Sequence, residues 1–213
     1  MNSPTPAERR RALAILDGLK RQHPDAHCEL DFSNALELLI ATILAAQCTD
    51  KRVNEVTRSL FARYRSAADY AGADPTELQD AIRSTGFFRN KTKSIQKCCT
   101  SIVEQFGGEV PGTMNELLQL AGVGRKSANV LLVNVYSVPG IVVDTHMLRI
   151  ARRMGFTEHT DAVRVERDLM RLFPEGEWAA LSRLIPWHGR RVCSARKPDC
   201  DHCGAATHCP KRI

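Results

Sequence analysis

No stretch of this 213-residue chain is apolar for long enough to cross a membrane. The opening residues, Met1-Asn-Ser-Pro-Thr-Pro6, lead into no hydrophobic core, so a signal peptide is not expected. No fixed-period repeat and no low-complexity segment appears. Strand-like composition is nearly missing: the one such run, Ile141-Val142-Val143, is too short to build a sheet. Charge is also limited. At 25% charged and 43% hydrophobic residues the chain does not read as disordered, and it has material for one large or two small cores. These absences leave an all-α protein expected in the cytoplasm, away from membranes.

What is present is basic. The net charge is +6, and most of the cations are arginine, which suits bidentate phosphate contacts. Solubility alone would give the same balance. Eight cysteines in a reducing compartment point to metal ligation rather than to disulfides.

Helix signals run along almost the whole chain. Asn34-x-x-Glu37 reads as a capping box ahead of an apolar run from Leu36 to Leu44, a helix expected at the centre of a domain. Asp74-Pro75 opens another, with proline at the first helical position. A helix from Asn90 to Phe106 ends at Gly107-Gly108, and Thr113-x-x-Glu116 caps a short one. Further helices are expected over 7–20, 127–136, 144–154, 161–173 and 177–188, with Pro186 kinking the last. The turn at 137–140 separates a central domain, 28–138, from a second made of 1–27 and 139–213.

Chemistry concentrates in Leu120-Ala-Gly-Val-Gly-Arg-Lys-Ser-Ala128 and Val143-Asp144-Thr145-His146. Gly122 and Gly124 can take positive φ and so allow a tight turn between two helices. The N–H groups opening the second helix would then form an anion site that grips one phosphate without reading a base. An ordinary helix–helix turn would also contain glycine. Lys126 stands beside Arg125 at that helix N-terminus, where positive charge, the helix dipole and partial burial would all favour the neutral, nucleophilic amine. A solvated surface lysine is the bland alternative. Asp144 is placed as a helix N-cap, and a carboxylate there would also stabilise positive charge developing on a sugar carbon.

The tail carries Cys193-x6-Cys200-x2-Cys203-x5-Cys209, four thiols within 17 residues. On ligand count this suits zinc or an iron–sulfur cluster equally, and His202 and His208 add to the case for zinc. Cys28, Cys48, Cys98 and Cys99 have no ligand spacing and read as small buried hydrophobes. Arg190, Arg191, Arg196 and Lys197 would meet a DNA backbone or form a solvated rim.

Taken together, the glycine hairpin, Asp144 and the cysteine spacing make the chain resemble the endonuclease III family over nearly its full length. The resemblance implies the helix–hairpin–helix DNA glycosylase fold, with two helical domains and a C-terminal 4Fe–4S cluster loop held by Cys193, Cys200, Cys203 and Cys209. It implies removal of oxidised pyrimidines from duplex DNA, followed by strand cleavage 3′ to the abasic site. Lys126 would be the Schiff-base nucleophile and Asp144 the catalytic carboxylate. DNA would be held by Gly122, Val123, Gly124 and Arg125, with Gln47 and Phe87 entering the duplex and His146 supporting Asp144 or a phosphate. Phe87 departs from the aliphatic wedge common among relatives, and Phe88 is an alternative inserted ring. The expected partner is double-stranded DNA with damaged bases or abasic sites, and a nucleoid-associated monomer suffices. Two other functions compete: a monofunctional mismatch glycosylase, against which Lys126 and the chain's end at Ile213 speak, and a non-catalytic DNA-binding or redox module.

Overall fold

Caps and apolar stripes decide where each helix begins and which face it buries. The computed structural model describes residues 3–212. In chain order the helices are α1 (Pro6–Gln22), α2 (Ala35–Leu44), α3 (Asp50–Arg63), α4 (Ala67–Ala71), α5 (Pro75–Ile82), α6 (Phe88–Phe106), α7 (Met114–Leu117), α8 (Arg125–Asn134), α9 (Thr145–Arg153), α10 (Ala162–Leu172) and α11 (Trp178–Arg191). No strand occurs among the described residues, as the all-α reading expected. The chain divides into two compact units, Cys28–Ser137 and Met1–His27 with Val138–Ile213. Val138 thus lies one residue across the expected boundary.

In the unit Cys28–Ser137, α2 is the central element. Leu38, Leu39, Ile40, Ala41 and Leu44 are fully buried, and α3, α6 and α8 pack around them. Ile95, Cys98, Cys99 and Ile102 on α6 and Ala128, Leu131 and Leu132 on α8 complete this core. Cys98 and Cys99 are the small hydrophobes the sequence suggested: burial pushes the Cys98 thiol up to about 12 and raises Cys99 further. Cys28 and Cys48 are only half-buried.

The capping box expected at Asn34 is only half formed. Asn34 accepts from the Glu37 N–H, but the Glu37 carboxylate reaches one residue further back, to the N–H and hydroxyl of Ser33. Ser33 meets that carboxylate with two donors, its N–H and its hydroxyl. The C-terminus of α6 follows expectation: Gly107 and Gly108 both take positive φ, and the Gly108 N–H donates to Ile102 O. Two helices were absent from the sequence reading. On α3, Val53, Val56, Thr57 and Leu60 bury one face at helical spacing, and Thr49 caps it. The short α4 has a full capping box from Ser66 and Asp69.

The other unit draws on both ends of the chain. Ala12, Ile15, Leu16 and Leu19 form the buried stripe of α1, and they pack with Met147, Ile150, Val165, Leu169, Leu181 and Ile185 of α9–α11. Ile141-Val142-Val143 is buried and forms no strand. The Ser182 hydroxyl holds this run, accepting the Val142 N–H and donating to Gly140 O. α11 continues through Pro186 without a break in its helical run.

The cysteine tail has no helix of its own and rests on α1. Gln22 brackets it, donating to His202 O and accepting from the Gly204 N–H. Gly18 makes this approach possible: a Cβ there would lie 2.3 Å from Gly204 O. Gly18→Ala is therefore expected to cost about 1–3 kcal/mol through overpacking of backbone on backbone. Thermal unfolding of the variant measures this, and an unchanged midpoint would mean the close approach is not kept in solution.

Candidate nucleic-acid interface and cysteine centre

The hairpin connects α7 to α8 through residues 118–124. Of its two glycines only Gly122 has positive φ, at 80°. Gly124 is extended, with φ −97° and ψ 176°, as the N-cap of α8. The turn therefore needs one left-handed residue, not two. A Cβ on Gly124 would meet nothing within 4 Å. With no side-chain cap on α8, the first-turn N–H groups present the positive end of the helix. The Val123 side chain is core, and its N–H donates to Leu120 O. Ala128 is fully buried on α8, a helix that packs on α2.

Arg125 and Lys126 are both exposed. The partial burial anticipated for Lys126 is absent, because the first turn of α8 projects beyond the core that its later turns bury.

Gln47 and Phe87 share an unusual backbone. Both are non-glycine residues in the left-handed region, at φ 54° and 49°. Gln47 is exposed in the turn between α2 and α3. Phe87 is the N-cap of α6, with no side-chain cap bond, and the residue is 62% exposed. Phe88 is half-buried against the core, with the guanidinium groups of Arg83 and Arg89 each 5.3 Å from its ring. Of the two rings, Phe87 is the one displayed. Sequence reasoning missed the residue beneath both loops. Lys91 is buried, and its ammonium donates to Leu44 O at 2.7 Å and Thr85 O at 2.8 Å. Burial pushes its pKa below the usual lysine value, opposed by nearby Cys48.

In the other unit, Asp144 is the N-cap of α9. Its Oδ1 accepts the Met147 N–H at 2.8 Å, and the side chain is half-exposed. His146 is half-buried, with Nδ1 3.3 Å from Arg149 Nη2. Burial lowers its pKa, the Asp144 charge opposes that, and Arg190 and Arg149 lower it further.

All four tail cysteines line one cavity, together with Arg153, Met154 and His188. None is in a disulfide. Arg153 donates to Cys193 Sγ and to Ser194 O and Ala195 O, while the Lys211 N–H approaches Cys209 Sγ at 3.4 Å. His202 and His208 are exposed and outside the cavity lining, and His202 pairs with Asp199. The histidine that does meet a thiol is one the sequence did not single out. His188 is fully buried, with Nε2 3.5 Å from Cys203 Sγ and Nδ1 2.9 Å from His23 Nε2. Arg190, Arg191, Arg196 and Lys197 are exposed, and the Arg191 guanidinium stacks 3.5 Å over Trp187.

Comparison with known proteins agrees with this arrangement. Residues 40–175 match the sequence profile described as HhH-GPD superfamily base excision DNA repair protein. The endonuclease III of Synechocystis sp. is 51% identical over 205 residues, which is 96% of this chain and 94% of that one. The chain belongs to the endonuclease III family. A solved non-covalent endonuclease III–DNA complex is 42% identical, with a TM-score of 0.91, covering 95% of each chain. A trapped covalent endonuclease III–DNA intermediate matches at the same identity and TM-score, over 95% of this chain and 96% of that one.

The hairpin glycines separate two effects. Gly122→Ala forces a left-handed alanine, at about 1–2 kcal/mol, and adds a Cβ 3.0 Å from Ser94 Cβ. Gly124→Ala keeps an ordinary backbone and is expected to cost at most about 1 kcal/mol of N-cap preference. Denaturant midpoints should rank wild type, then Gly124→Ala, then Gly122→Ala, and the reverse order would contradict the one-residue turn.

Proposed function

We propose that this protein is a bifunctional DNA glycosylase and abasic-site lyase of base excision repair, which removes oxidised pyrimidines from duplex DNA and then cuts the strand 3′ to the abasic site. One observation carries the reading: an exposed lysine stands in the first turn of an uncapped helix, behind a glycine hairpin. The trapped covalent endonuclease III–DNA intermediate supports it, since a helix–hairpin–helix relative forms a bond to its substrate.

The chemistry follows from the residues. The bare N-terminus of α8 at Gly124, with Arg125, takes a backbone phosphate. Lys126 loses a proton and attacks C1′. The C1′–N bond breaks, and the base leaves with a proton. Ring opening gives a protonated imine, which acidifies C2′. Loss of a C2′ proton then expels the 3′ oxygen, and hydrolysis returns the amine. Asp144 stabilises positive charge at C1′, and its bond to the Met147 N–H fixes the carboxylate while it does so. Gln47 and Phe87 occupy the space left by the extruded nucleotide. His146 contacts a phosphate or steadies Asp144.

Cys193, Cys200, Cys203 and Cys209 fit a 4Fe–4S cluster. All four line one cavity, and four thiols are the ligand set that such a cluster takes. Burial raises the thiols of Cys203 and Cys209, so bound cations would be what holds them as thiolates. Bound there, the cluster would supply a structural cross-link and an electron-transfer centre. The partner is damaged duplex DNA, and a cytoplasmic, nucleoid-associated monomer suffices for it.

Borohydride trapping on a duplex with one thymine glycol tests the reading. A covalent adduct is expected from the wild type and none from Lys126→Ala. Trapping on an abasic site alone would keep the lyase and reopen the lesion, and no adduct on either would overturn the proposal. Asp144→Asn keeps an oxygen to accept the Met147 N–H, so its thermal midpoint should stay near wild type while base removal slows by about a hundredfold or more. Purified protein should carry iron and acid-labile sulfide in equal amounts. Zinc instead of iron would replace the cluster assignment.

A further inference from the structure

Lys91 is an expensive residue to bury. An ammonium taken out of water must be repaid by good hydrogen bonds, and a methionine of similar length would fill the same space without that demand. Its two acceptors show what the charge is for. Leu44 is the last residue of α2, and Thr85 is the last of the short turn Arg83–Thr85. Carbonyls at such ends have no partner within their own helix and sit at its negative pole. A cation satisfies both at once. Leu44 stands three residues before Gln47, and Thr85 two before Phe87. The Lys91 N–H also donates to Phe87 O at 3.0 Å.

We propose that Lys91 is a positioning residue whose single buried ammonium ties together the two loops that carry Gln47 and Phe87. Both residues hold a left-handed backbone that side chains ordinarily avoid, and such conformations persist only where the surroundings over-determine them. The turn at Ala45–Cys48 closes locally, through the Cys48 N–H to Ala45 O, and the turn before Phe87 through the Gly86 N–H to Arg83 O. Those bonds shape each loop separately. Among the hydrogen bonds described above, only those of Lys91 link the two. The tie makes the spacing between the displayed amide and the displayed ring a fixed quantity, which a duplex with one extruded nucleotide requires. This inference rests on the proposed entry of Gln47 and Phe87 into DNA.

Lys91→Met, with Lys91→Gln as a second variant that keeps amide donors, tests the tie on the full-length protein. Two substrates are compared in single turnover: thymine glycol in duplex DNA, and an abasic site in single-stranded DNA, where no base needs extruding. Lys91→Met should lose between about tenfold and a hundredfold on the duplex, as misplaced positioning groups do, and little on the single strand. Lys91→Gln should fall between. The fluorescence rise of 2-aminopurine opposite the lesion should weaken in parallel. Equal losses on both substrates, no loss on either, or a failure of both variants to fold would overturn the positioning role. Hydrogen exchange separates this proposal from the one beneath it. If the wild type removes no base, the functional reading fails. The tie still stands if residues 45–48 and 85–87 lose protection together in Lys91→Met, and falls if they do not.

Discussion

Every interior N–H and C=O of a helix is already paired, so a helical protein offers its backbone to a ligand at helix ends and in the loops that join them. That constraint organises the candidate site. Gly124 caps α8, Phe87 caps α6 and Asp144 caps α9. Gln47 lies in the turn that separates α2 from α3, and the cysteine tail begins where α11 stops. The proposed DNA-facing and catalytic residues are termini or neighbours of termini. For Asp144 the structural and chemical roles coincide. The cap bond uses Oδ1, and a carboxylate has two oxygens.

Helix ends fray unless something holds them, so display requires support beneath. In the unit Cys28–Ser137 that support is α2, buried on nearly all sides. Its C-terminus leads directly into the Gln47 turn, and α8 packs against it. The strained backbone at Gln47 and Phe87 therefore stands at the edge of the best-packed part of the unit. The hairpin follows the same logic. Leu120 and Val123 are anchored in the core, and between and beyond them Gly122 and Gly124 stay exposed. Val123 contributes by being absent from the surface, since its burial fixes the height of the turn.

Much of this was legible in the sequence, for a physical reason. Caps and apolar stripes are local signals, so the helices around 34, 74, 113, 144 and 161 could be read from a few residues each. The α3 stripe at Val53, Val56, Thr57 and Leu60 has the same helical spacing, but it is diluted by polar or charged residues at the positions between. Conformation at single residues was less legible. Two glycines in a turn suggest two left-handed positions, yet only the hydrogen bonding of the turn decides which one is needed. Buried polar contacts were not legible at all. Nothing local to Lys91 or His188 says that an ammonium will meet a carbonyl 47 residues away as well as a near one, or that an imidazole will meet a thiol.

The cysteine tail shows what this implies for stability. It has no helix and little apolar burial of its own, Ala205 being its one fully buried hydrophobe. Its contacts are instead with groups that other segments supply: Gln22 and Gly18 from α1, Arg153 from α9 and His188 from α11. Such a segment gains order only when its partners are already in place, and it loses that order first. A cluster held by all four thiols would reverse the dependence, since cross-linking the tail would in turn hold the ends of α1, α9 and α11 against it. Folding of this unit and loading of its metal would then be a single equilibrium. The buried His23–His188 pair fits this view. Once Cys203 is a thiolate it can only accept, so His188 Nε2 must carry the proton, and His188 Nδ1 is left to accept from His23. The charge state of one sulfur therefore sets the tautomers of two imidazoles, reaching from the tail back to the end of the first helix.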